Sequence, residues 1–478
     1  MTILLDHPWL DPLIQEGLLM RIIHDPLTSL TLFRLSAIPE PWAAQAGEDA
    51  TFTKAGLKEP IVTPGEPGVD PEPDFNTYEQ WRVVAQSYSG TTDVDMTAAF
   101  AGIVPLNMQQ LKEEVVRAGR SIGRVSRNAM FRAYLGGHSI AEVVSVSGGD
   151  THIQVNSLAG WRERIKPSGQ LTLVGSTSDT SKIYTVNGLP PSVTTSRVIA
   201  AIPDDDKYPD GPGTLVVSGT PNIVANDRIE AFDRPHVIRS GGAKSVDAIT
   251  KANVLTLDDI QRATAWLRSN SNSPHAEGEC FHGHIDPMAE QSVFRDNAFQ
   301  RLHEGRFEDE AIRNMALGYT AGTAFFTNNE CPNYGTVGKK VAGKGSRSLA
   351  ISAPEIGGDI RNRHGVNIVR TLITASGVMY EKYIDQSAFV SEAGIGGKMG
   401  SARVTSNGVE INTDRIAFIL RQPQDRRQRR FSFTWAWDGD FGIPSDQLGG
   451  MNNGDGTGLM DWTPRYKRAV IIESASPM

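Results

Sequence analysis

Cysteine is scarce in this chain, whose 478 residues include only Cys280 and Cys331. Two cysteines form at most one bridge, so the sequence excludes a small secreted domain held together by several disulfides. Long apolar runs are lacking too, because no stretch reaches the about 18 residues of a membrane-spanning helix. Asp6 interrupts the only apolar run near the start, which argues against a secretory leader. We therefore expect synthesis in a reducing cytoplasm and no membrane association.

Positive charge is not in surplus. Lysine and arginine number 47 against 55 aspartates and glutamates, which gives a formal net charge of −8. This balance excludes a protein held on nucleic acid by its overall charge. Apolar residues make up 39% of the chain, an ordinary globular value, so the bulk is expected to fold. At roughly 150 residues per domain, the length predicts two to four domains.

Enzyme signatures are absent or incomplete. There is no Gly-x-Ser-x-Gly elbow of a hydrolase. Residues 338–344 have the spacing of a phosphate loop, but Gly345 stands where a magnesium-binding Ser or Thr is required. Residues 391–400 lack the first glycine of that motif. Both runs are interpreted as glycine loops, and we predict a non-enzymatic protein with no catalytic residues and no cofactor.

One predicted strand carries residue types that bind metals. Cys280, His282, His284 and Asp286 alternate, so all four would share one strand face. Neighbours on such a face lie about 6.5 Å apart and diverge, so they do not converge on a single ion. A strand face that packs on a helix or lines an interface is favoured over a zinc site, and no metal ligand set is predicted.

A long helix over residues 107–135 is the clearest predicted element. Asn107 and Gln110 suit the N-cap and the capping box, and Gly136 and Gly137 end the pattern. Apolar residues recur at spacings of four and three: Leu111, Val115, Ala118, Ile122, Val125 and Ala129. A second stripe consists of Arg117, Arg120, Arg124 and Arg127. This stripe is either a solvated helix face or a positive surface toward nucleic acid or an acidic partner.

The segment ahead of this helix is unusual. Residues 38–80 are rich in proline and glycine, which predicts an extended arm or loop. The segment also keeps Trp42, Phe52 and Leu57, apolar side chains that a solvated linker seldom carries. It is therefore either an arm that packs on neighbouring subunits or a disordered linker. Residues 81–104 are predicted as β-structure, with a turn at residues 89–92.

Turn signals and short β runs dominate residues 143–240, which predicts a small all-β domain, either a barrel or a sandwich. Residues 251–350 return to mixed α and β. There, Thr256 and Asp259 form a predicted capping pair, and Asp286-Pro287 opens another helix.

Aromatic and apolar strands mark the last third of the chain, at residues 415–420, 431–438 and 465–472, with a basic cluster at 425–430 between them. Taken with the arm, the extended loop and the long helix, this order resembles the major capsid proteins of tailed bacteriophages with the Hong Kong 97-type fold, particularly the podophage-like coat proteins. The resemblance implies an α+β fold built from an N-terminal arm (1–37), an extended loop (38–88), a peripheral domain (89–142) with a spine helix (107–135), an inserted β domain (143–240), an axial domain (251–411) and returning peripheral strands (412–478).

The resemblance further implies a coat protein that forms hexamers and pentamers of an icosahedral head around double-stranded DNA. Its expected partners are other copies of itself, a portal protein and packaged DNA held by non-specific contact, with scaffolding and decoration proteins as further possibilities. Its expected location is the virion shell, after assembly in the cytoplasm of a bacterial host. Trp42, Phe52 and Leu57 are the predicted intersubunit anchors, and Arg117, Arg120, Arg124 and Arg127 are the predicted contacts to DNA or an acidic partner.

Two alternatives remain open. One is a β-rich virion surface or receptor-binding protein that uses residues 143–240 as its binding module. The other is an enzyme with an unrecognised site, for which a sharp pocket with perturbed titratable groups would be required.

Overall fold

A computed structural model describes residues 32–42, 49–55, 78–95, 106–135, 138–155, 170–174, 183–188, 213–218, 223–225, 228–231, 236–243, 249–270, 273–275, 279–302, 317–328, 331, 366–384, 402–405, 408–413, 415–421, 430–443 and 468–477. The mixed α and β composition that the sequence predicts is confirmed. Within these ranges, no helix is both long and apolar enough to cross a membrane.

The helices and strands follow in chain order as β1 (Ala37–Pro41), β2 (Asp49–Ala55), β3 (Tyr78–Val84), β4 (Gln86–Asp95), α1 (Leu106–Leu135), β5 (His138–Ser147), β6 (Asp150–Val155), β7 (Gln170–Val174), β8 (Ile183–Gly188), β9 (Gly213–Ser218), β10 (Arg228–Ala231), β11 (Val237–Arg239), α2 (Leu257–Ser269), β12 (Phe281–Ile285), α3 (Pro287–Phe294), α4 (Asn297–Leu302), β13 (Tyr319–Thr320), β14 (Thr323–Thr327), β15 (Ile368–Thr374), β16 (Met379–Tyr383), β17 (Ala402–Thr405), β18 (Gly408–Thr413), β19 (Ile416–Arg421), β20 (Arg430–Gly442) and β21 (Ala469–Ala475). Short 3₁₀ turns cover Leu32–Ser36 and Ser240–Gly242.

The chain divides into two compact units. The first contains residues 1–50, 82–127 and 379–442, and the second contains residues 51–81, 128–378 and 443–478. Both units are therefore assembled from segments that are far apart in the sequence. Where the predicted domains begin and end stays a prediction.

The first unit holds a seven-stranded sheet in the order β1-β16-β20-β19-β18-β17, with β4 also paired to β20. Strand β1 runs parallel to β16, and the other neighbours are antiparallel. Apolar side chains that alternate along β20, including Phe433, Trp435 and Trp437, are buried. The predicted strands at 415–420 and 431–438 are thus confirmed as β19 and β20.

The predicted turn at residues 89–92 is wrong, because these residues lie inside β4 and pair with β20. Gly90 stands opposite Trp435, and a Cβ atom at Gly90 would lie 2.5 Å from Nε1 of the indole. The glycine therefore makes room for a buried tryptophan on the next strand, and it does not mark a turn.

Helix α1 has 30 residues and is about 45 Å long at 1.5 Å per residue. It begins at Leu106, one residue before the predicted start, which places the predicted N-cap Asn107 in the first turn. Val115, Ala118 and Ile122 are buried as their spacing predicts. The helix contributes residues up to 127 to the first unit and residues from 128 to the second.

A closed barrel in the second unit has the strand order β10-β5-β6-β9-β8-β7. Alternate residues of β6, Thr151, Ile153 and Val155, are buried, as expected for a strand that turns one face to a core. All six strands come from residues 138–231, most of which belong to the segment predicted as an all-β domain.

A six-stranded sheet, also in the second unit, has the order β11-β21-β15-β12-β14-β13. One of its faces packs on α2 and α3 through a core that includes Leu267, Phe281, Val293, Ile373 and Ile472. The other face carries the side chains that alternate with these.

Both predicted helix starts beside this sheet are confirmed. Thr256 caps α2 by accepting from the amide of Asp259, and the Asp259 side chain accepts in return from the Thr256 amide. Asp286 caps α3 by accepting from the Met288 amide, and Pro287 occupies the first turn. Strands β2 and β3 form a separate two-stranded ribbon.

Candidate assembly surfaces and buried charge clusters

Two of the three predicted intersubunit anchors lie within the described residues. Trp42 is half-buried just after β1, and its backbone amide donates to the carbonyl of Tyr383 at 2.7 Å. Phe52 is half-buried on β2, in the two-stranded ribbon. Leu57 lies outside the described residues. Trp42 and Phe52 therefore keep partly exposed apolar surface, and their contact with another subunit stays a prediction.

The arginine stripe of α1 is not one uniform surface. The Arg117 side chain is 40% exposed and donates from Nη1 to Oε1 of Glu114 at 2.9 Å. Arg120 and Arg124 are half-buried, whereas Arg127 is fully buried. Contact with DNA or an acidic partner stays a prediction, and Arg127 could contribute to it only through its charge.

The hairpin of β5 and β6 extends past the pairing of β5 with β10, and this extension has one open edge. Strand β10 pairs with β5 only at residues 138–140, while β6 covers the other side of β5 as far as Ser147. Among the described residues, no strand pairs with the remaining edge of residues 143–147. Val143 and Val146 are 46% and 59% exposed there. Open strand edges with exposed apolar side chains are typical sites for adding another strand.

The first buried charge cluster, the Glu381 cluster, consists of Arg34, Glu381 and Arg415. Arg34 donates from Nε to both carboxylate oxygens of Glu381 at 2.8 Å, and from Nη2 to Oε1 at 2.6 Å. Arg415 donates from Nη1 to the other oxygen, and its guanidinium lies 5.3 Å from the centre of the Tyr383 ring. Glu381 is fully buried, while the Arg415 side chain is 20% exposed. This cluster fastens the 3₁₀ turn before β1 to β16.

The second, the Glu473 cluster, consists of Arg239, Glu473 and Arg370 on three adjacent strands. Glu473 of β21 stands opposite Arg239 of β11 and Arg370 of β15. Arg239 Nε donates to Oε2 at 3.0 Å, and Arg370 Nε donates to Oε1 at 3.1 Å. The Arg370 and Glu473 side chains have no exposed surface. One carboxylate thus lies between two buried cations on the sheet face away from α2 and α3.

Three histidines gather on the same sheet. The rings of His275 and His282 stack with centroids 3.8 Å apart, and Phe326 meets His282 edge-on. Burial lowers the pKa of His275 to about 4, with a further lowering by His282 and an opposing hydrogen bond with Thr374. Burial also lowers the pKa of His284 to about 3, with His282 and His275 adding to the effect. The fold therefore favours the neutral form of both rings.

Two of these histidines belong to the strand face that the sequence predicts at residues 280–286, and both are packed against Phe326. His282 and His284 lie on β12. Buried Cys280 precedes the strand, and its backbone forms an isolated antiparallel β-bridge with His275. Within the described part of the chain, no group of three or more His, Cys, Asp or Glu side chains is placed to hold a metal ion. The glycine runs at 338–344 and 391–400 lie outside the described residues, as do residues 425–429 of the basic cluster.

Neither Arg–Glu–Arg cluster was predicted from the sequence. A local signal existed for one of them, because Arg370 and Glu473 each interrupt an otherwise apolar strand, in Ile368-Val369-Arg370 and Ile471-Ile472-Glu473. A charge within a buried strand usually has a partner, since an unpaired buried charge is costly. The sequence does not show which partner that is.

No protein-family model and no curated protein matches the sequence. Among solved structures, the capsid of Ralstonia phage GP4 is 10% identical, with a TM-score of 0.44 over 93% of this chain and 90% of that one. The capsid asymmetric unit of cyanophage Pam1 is 10% identical, with a TM-score of 0.46 over 92% and 89%. The capsid of Myoviridae phage XM1 is 10% identical, with a TM-score of 0.37 over 93% and 92%.

Proposed function

We propose that this chain is the major capsid protein of a tailed bacteriophage, with the Hong Kong 97-type fold. Copies form hexamers and pentamers of a closed icosahedral shell around double-stranded DNA. The role is structural, with no catalytic step and no cofactor. Partners beyond the chain itself are a portal protein and packaged DNA, joined where the particle requires them by scaffolding and decoration proteins. Assembly takes place in the cytoplasm of the bacterial host.

The order of elements carries this proposal. A two-stranded ribbon precedes a helix of 30 residues, and a six-stranded sheet with helices on one face follows. Strands from the C-terminal third complete both large sheets. This is the order that the resemblance to the capsid proteins implies. A closed barrel whose strands come from residues 138–231 supports the proposal of an inserted domain.

The ribbon of β2 and β3 gives this order a physical meaning. An isolated two-stranded ribbon is at best marginally stable in water and needs further packing. Within the described residues, β2 and β3 pair only with each other. Val83 of β3 is already buried within the chain, and packing of the half-buried Phe52 on a neighbouring copy would add further burial. Many modest contacts of this kind, repeated over a closed shell, add up to a particle that resists internal pressure.

Assembly itself provides the decisive experiment. The full chain is expressed alone and together with candidate scaffolding proteins, and both preparations are viewed by negative-stain electron microscopy. Closed uniform shells or rings of subunits are expected. A single monodisperse monomer under both conditions would overturn the proposal.

The predicted anchors are tested by Trp42→Ala and Phe52→Ala in the full chain. Buried aromatic anchors contribute about 2 kcal/mol or more to an interface. We therefore expect fewer complete shells and disassembly at lower denaturant concentration. Tyr319→Ala is the matched control, since it removes a 71% exposed aromatic ring from a different surface. Equal shell yields for all three variants would contradict the role of the two anchors.

The arginine stripe is tested by Arg120→Gln combined with Arg124→Gln. If these side chains contact phosphates, shells of the variant should retain DNA fragments less well. The salt dependence of DNA binding should also weaken by about one counterion for each arginine lost. Lys251→Gln is a matched control, because it removes an exposed positive charge outside α1. An unchanged salt dependence in the double variant would assign the stripe to solvent or to protein contacts.

A further inference from the structure

The guanidinium group of Arg370, on β15 of the second unit, is buried and held in a fixed direction. Its Nε donates to Glu473, the residue directly opposite on β21, and the side chain has no exposed surface. Neither Nη1 nor Nη2 of Arg370 has a hydrogen-bond partner among the residues that the structure describes. An orientated, fully covered cation thus directs its remaining N–H groups at no acceptor among the described residues.

Leaving these N–H groups unsatisfied is costly. Arginine stays protonated in proteins, so it cannot avoid the cost by losing its proton. A buried polar group without a partner costs free energy, and a buried charge costs more. Glu473 offsets this only in part, because it accepts from Nε of Arg370 and leaves Nη1 and Nη2 without a partner among the described residues. Nη1 and Nη2 therefore require an acceptor. A negatively charged acceptor would both accept from these N–H groups and pair with the buried positive charge.

We propose that Arg370 binds a small monatomic anion of the chloride class beside β15. The planar fork of Nη1 and Nη2 donates to the anion, while Nε holds Glu473. Leu372 follows on the same strand face as Arg370, and His284 of β12 pairs with Leu372 on that face. Because the Arg370 side chain is completely covered, a monatomic ion suits the site better than a phosphate or a carboxylate. The bound anion then contributes to the stability of the folded chain.

The test uses the full chain. Thermal unfolding is measured in sodium chloride and in sodium gluconate at equal ionic strength, so that charge screening is constant. Gluconate is too large for a covered site. A ligand that binds only the folded state raises the unfolding midpoint with the logarithm of its concentration. We expect an increase of about 2 °C for each tenfold rise in chloride, and no increase with gluconate.

Two variants locate the effect. Arg370→Met should abolish the difference between the two salts. Arg262→Met removes the same charge from an exposed ion pair with Asp258 on α2 and should preserve it. Equal midpoints in chloride and gluconate for the unaltered chain would overturn the proposal. Retention of the chloride effect in Arg370→Met would also overturn it.

A direct measurement covers the case in which Arg370→Met does not fold. Crystals of the unaltered chain grown in bromide are examined for anomalous scattering. A bromide peak within hydrogen-bonding reach of Nη1 and Nη2 supports the proposal. Water density at that position without a bromide peak overturns it, whatever the thermal data show.

Discussion

The Glu381 and Glu473 clusters use the same three residue types in two different settings. In the Glu381 cluster, Arg34 holds both carboxylate oxygens, and Arg415 is 20% exposed and lies over the Tyr383 ring. In the Glu473 cluster, each arginine reaches the carboxylate through its Nε, and the Arg370 side chain is fully covered. Water can reach Arg415 at the first site, whereas the Arg370 and Glu473 side chains at the second have no exposed surface.

The two clusters also connect different parts of the chain. The Glu381 cluster fastens a segment near the amino end to an edge of the seven-stranded sheet. The Glu473 cluster joins three neighbouring strands across the six-stranded sheet. A buried ion pair often adds little net stability over an apolar substitute, but removal of one partner is strongly destabilising. Both clusters are therefore expected to specify pairing more than to add stability.

Glu473→Gln should have the largest effect. It leaves two buried guanidinium groups without their shared negative charge, at an expected cost of about 3–5 kcal/mol in the free energy of unfolding. The urea midpoint of the full chain measures it. The control is Glu40→Gln, which removes the 46% exposed partner of Lys382 and should cost less than about 1 kcal/mol. Equal midpoints for the two variants would refute the central role of Glu473.

Glu381→Gln should cost somewhat less, about 3 kcal/mol, because water can reach Arg415 and hydrate part of the released charge. Loss of the carboxylate also frees the segment around Arg34. Limited proteolysis should then cut near residues 32–41 sooner than in the unaltered chain, with Glu40→Gln again as the control. Unchanged cleavage of Glu381→Gln would show that β1 pairing alone holds this segment.

Acid should weaken the six-stranded sheet before the seven-stranded one. The folded pKa values of His275 and His284 lie below the ordinary 6.5, so the unfolded chain binds protons first as the pH falls. Stability is complete above about pH 6.5 and declines toward the lowered values. For His284 alone, the loss at about pH 5 is roughly 2 kcal/mol.

Urea midpoints at neutral pH and at about pH 5 measure this decline, and His284→Leu should reduce it. The described residues of the first unit contain no histidine. Hydrogen exchange at acidic pH should therefore show earlier opening of β12 and β15 than of β19 and β20. Simultaneous opening of both sheets would contradict the assignment to these histidines.

The smallest predicted effect concerns the helix that packs on the six-stranded sheet. Thr256→Ala removes the capping hydroxyl of α2 and should cost about 1 kcal/mol. Thr256→Ser keeps the hydroxyl and serves as the control. If the loss for Thr256→Ala matched that for Glu473→Gln, the stability of this unit would depend on helix capping as much as on its buried charges.

Local patterns in the sequence predicted a large part of the fold. The apolar spacing over residues 107–135, the Thr256 and Asp259 pair and Asp286-Pro287 all depend on neighbours within a few residues, and each is confirmed. The prediction of a turn at residues 89–92 was wrong because Gly90 is required by its contact with Trp435. This tryptophan lies on a paired strand that is far away in the sequence.

The two buried charge clusters were harder to predict from the sequence for the same reason. Arg34 and Glu381 are separated by 347 positions, and Arg239 and Glu473 by 234. Local composition shows that a charge lies in an apolar strand, but only the sheet order shows what it meets. The predicted anchors and the arginine stripe depend on surfaces outside a single chain, and they stay predictions.

The hairpin of β5 and β6 has a practical consequence. Its tip is Gly148-Gly149, two exposed glycines with φ values of 65° and 93°, and a Cβ atom at either would meet nothing within 4 Å. A foreign peptide inserted between them would interrupt only solvent-exposed backbone and leave the β5–β6 pairing intact. If copies assemble as proposed, every subunit would present the guest sequence at regular spacing, which is the arrangement that a vaccine particle requires.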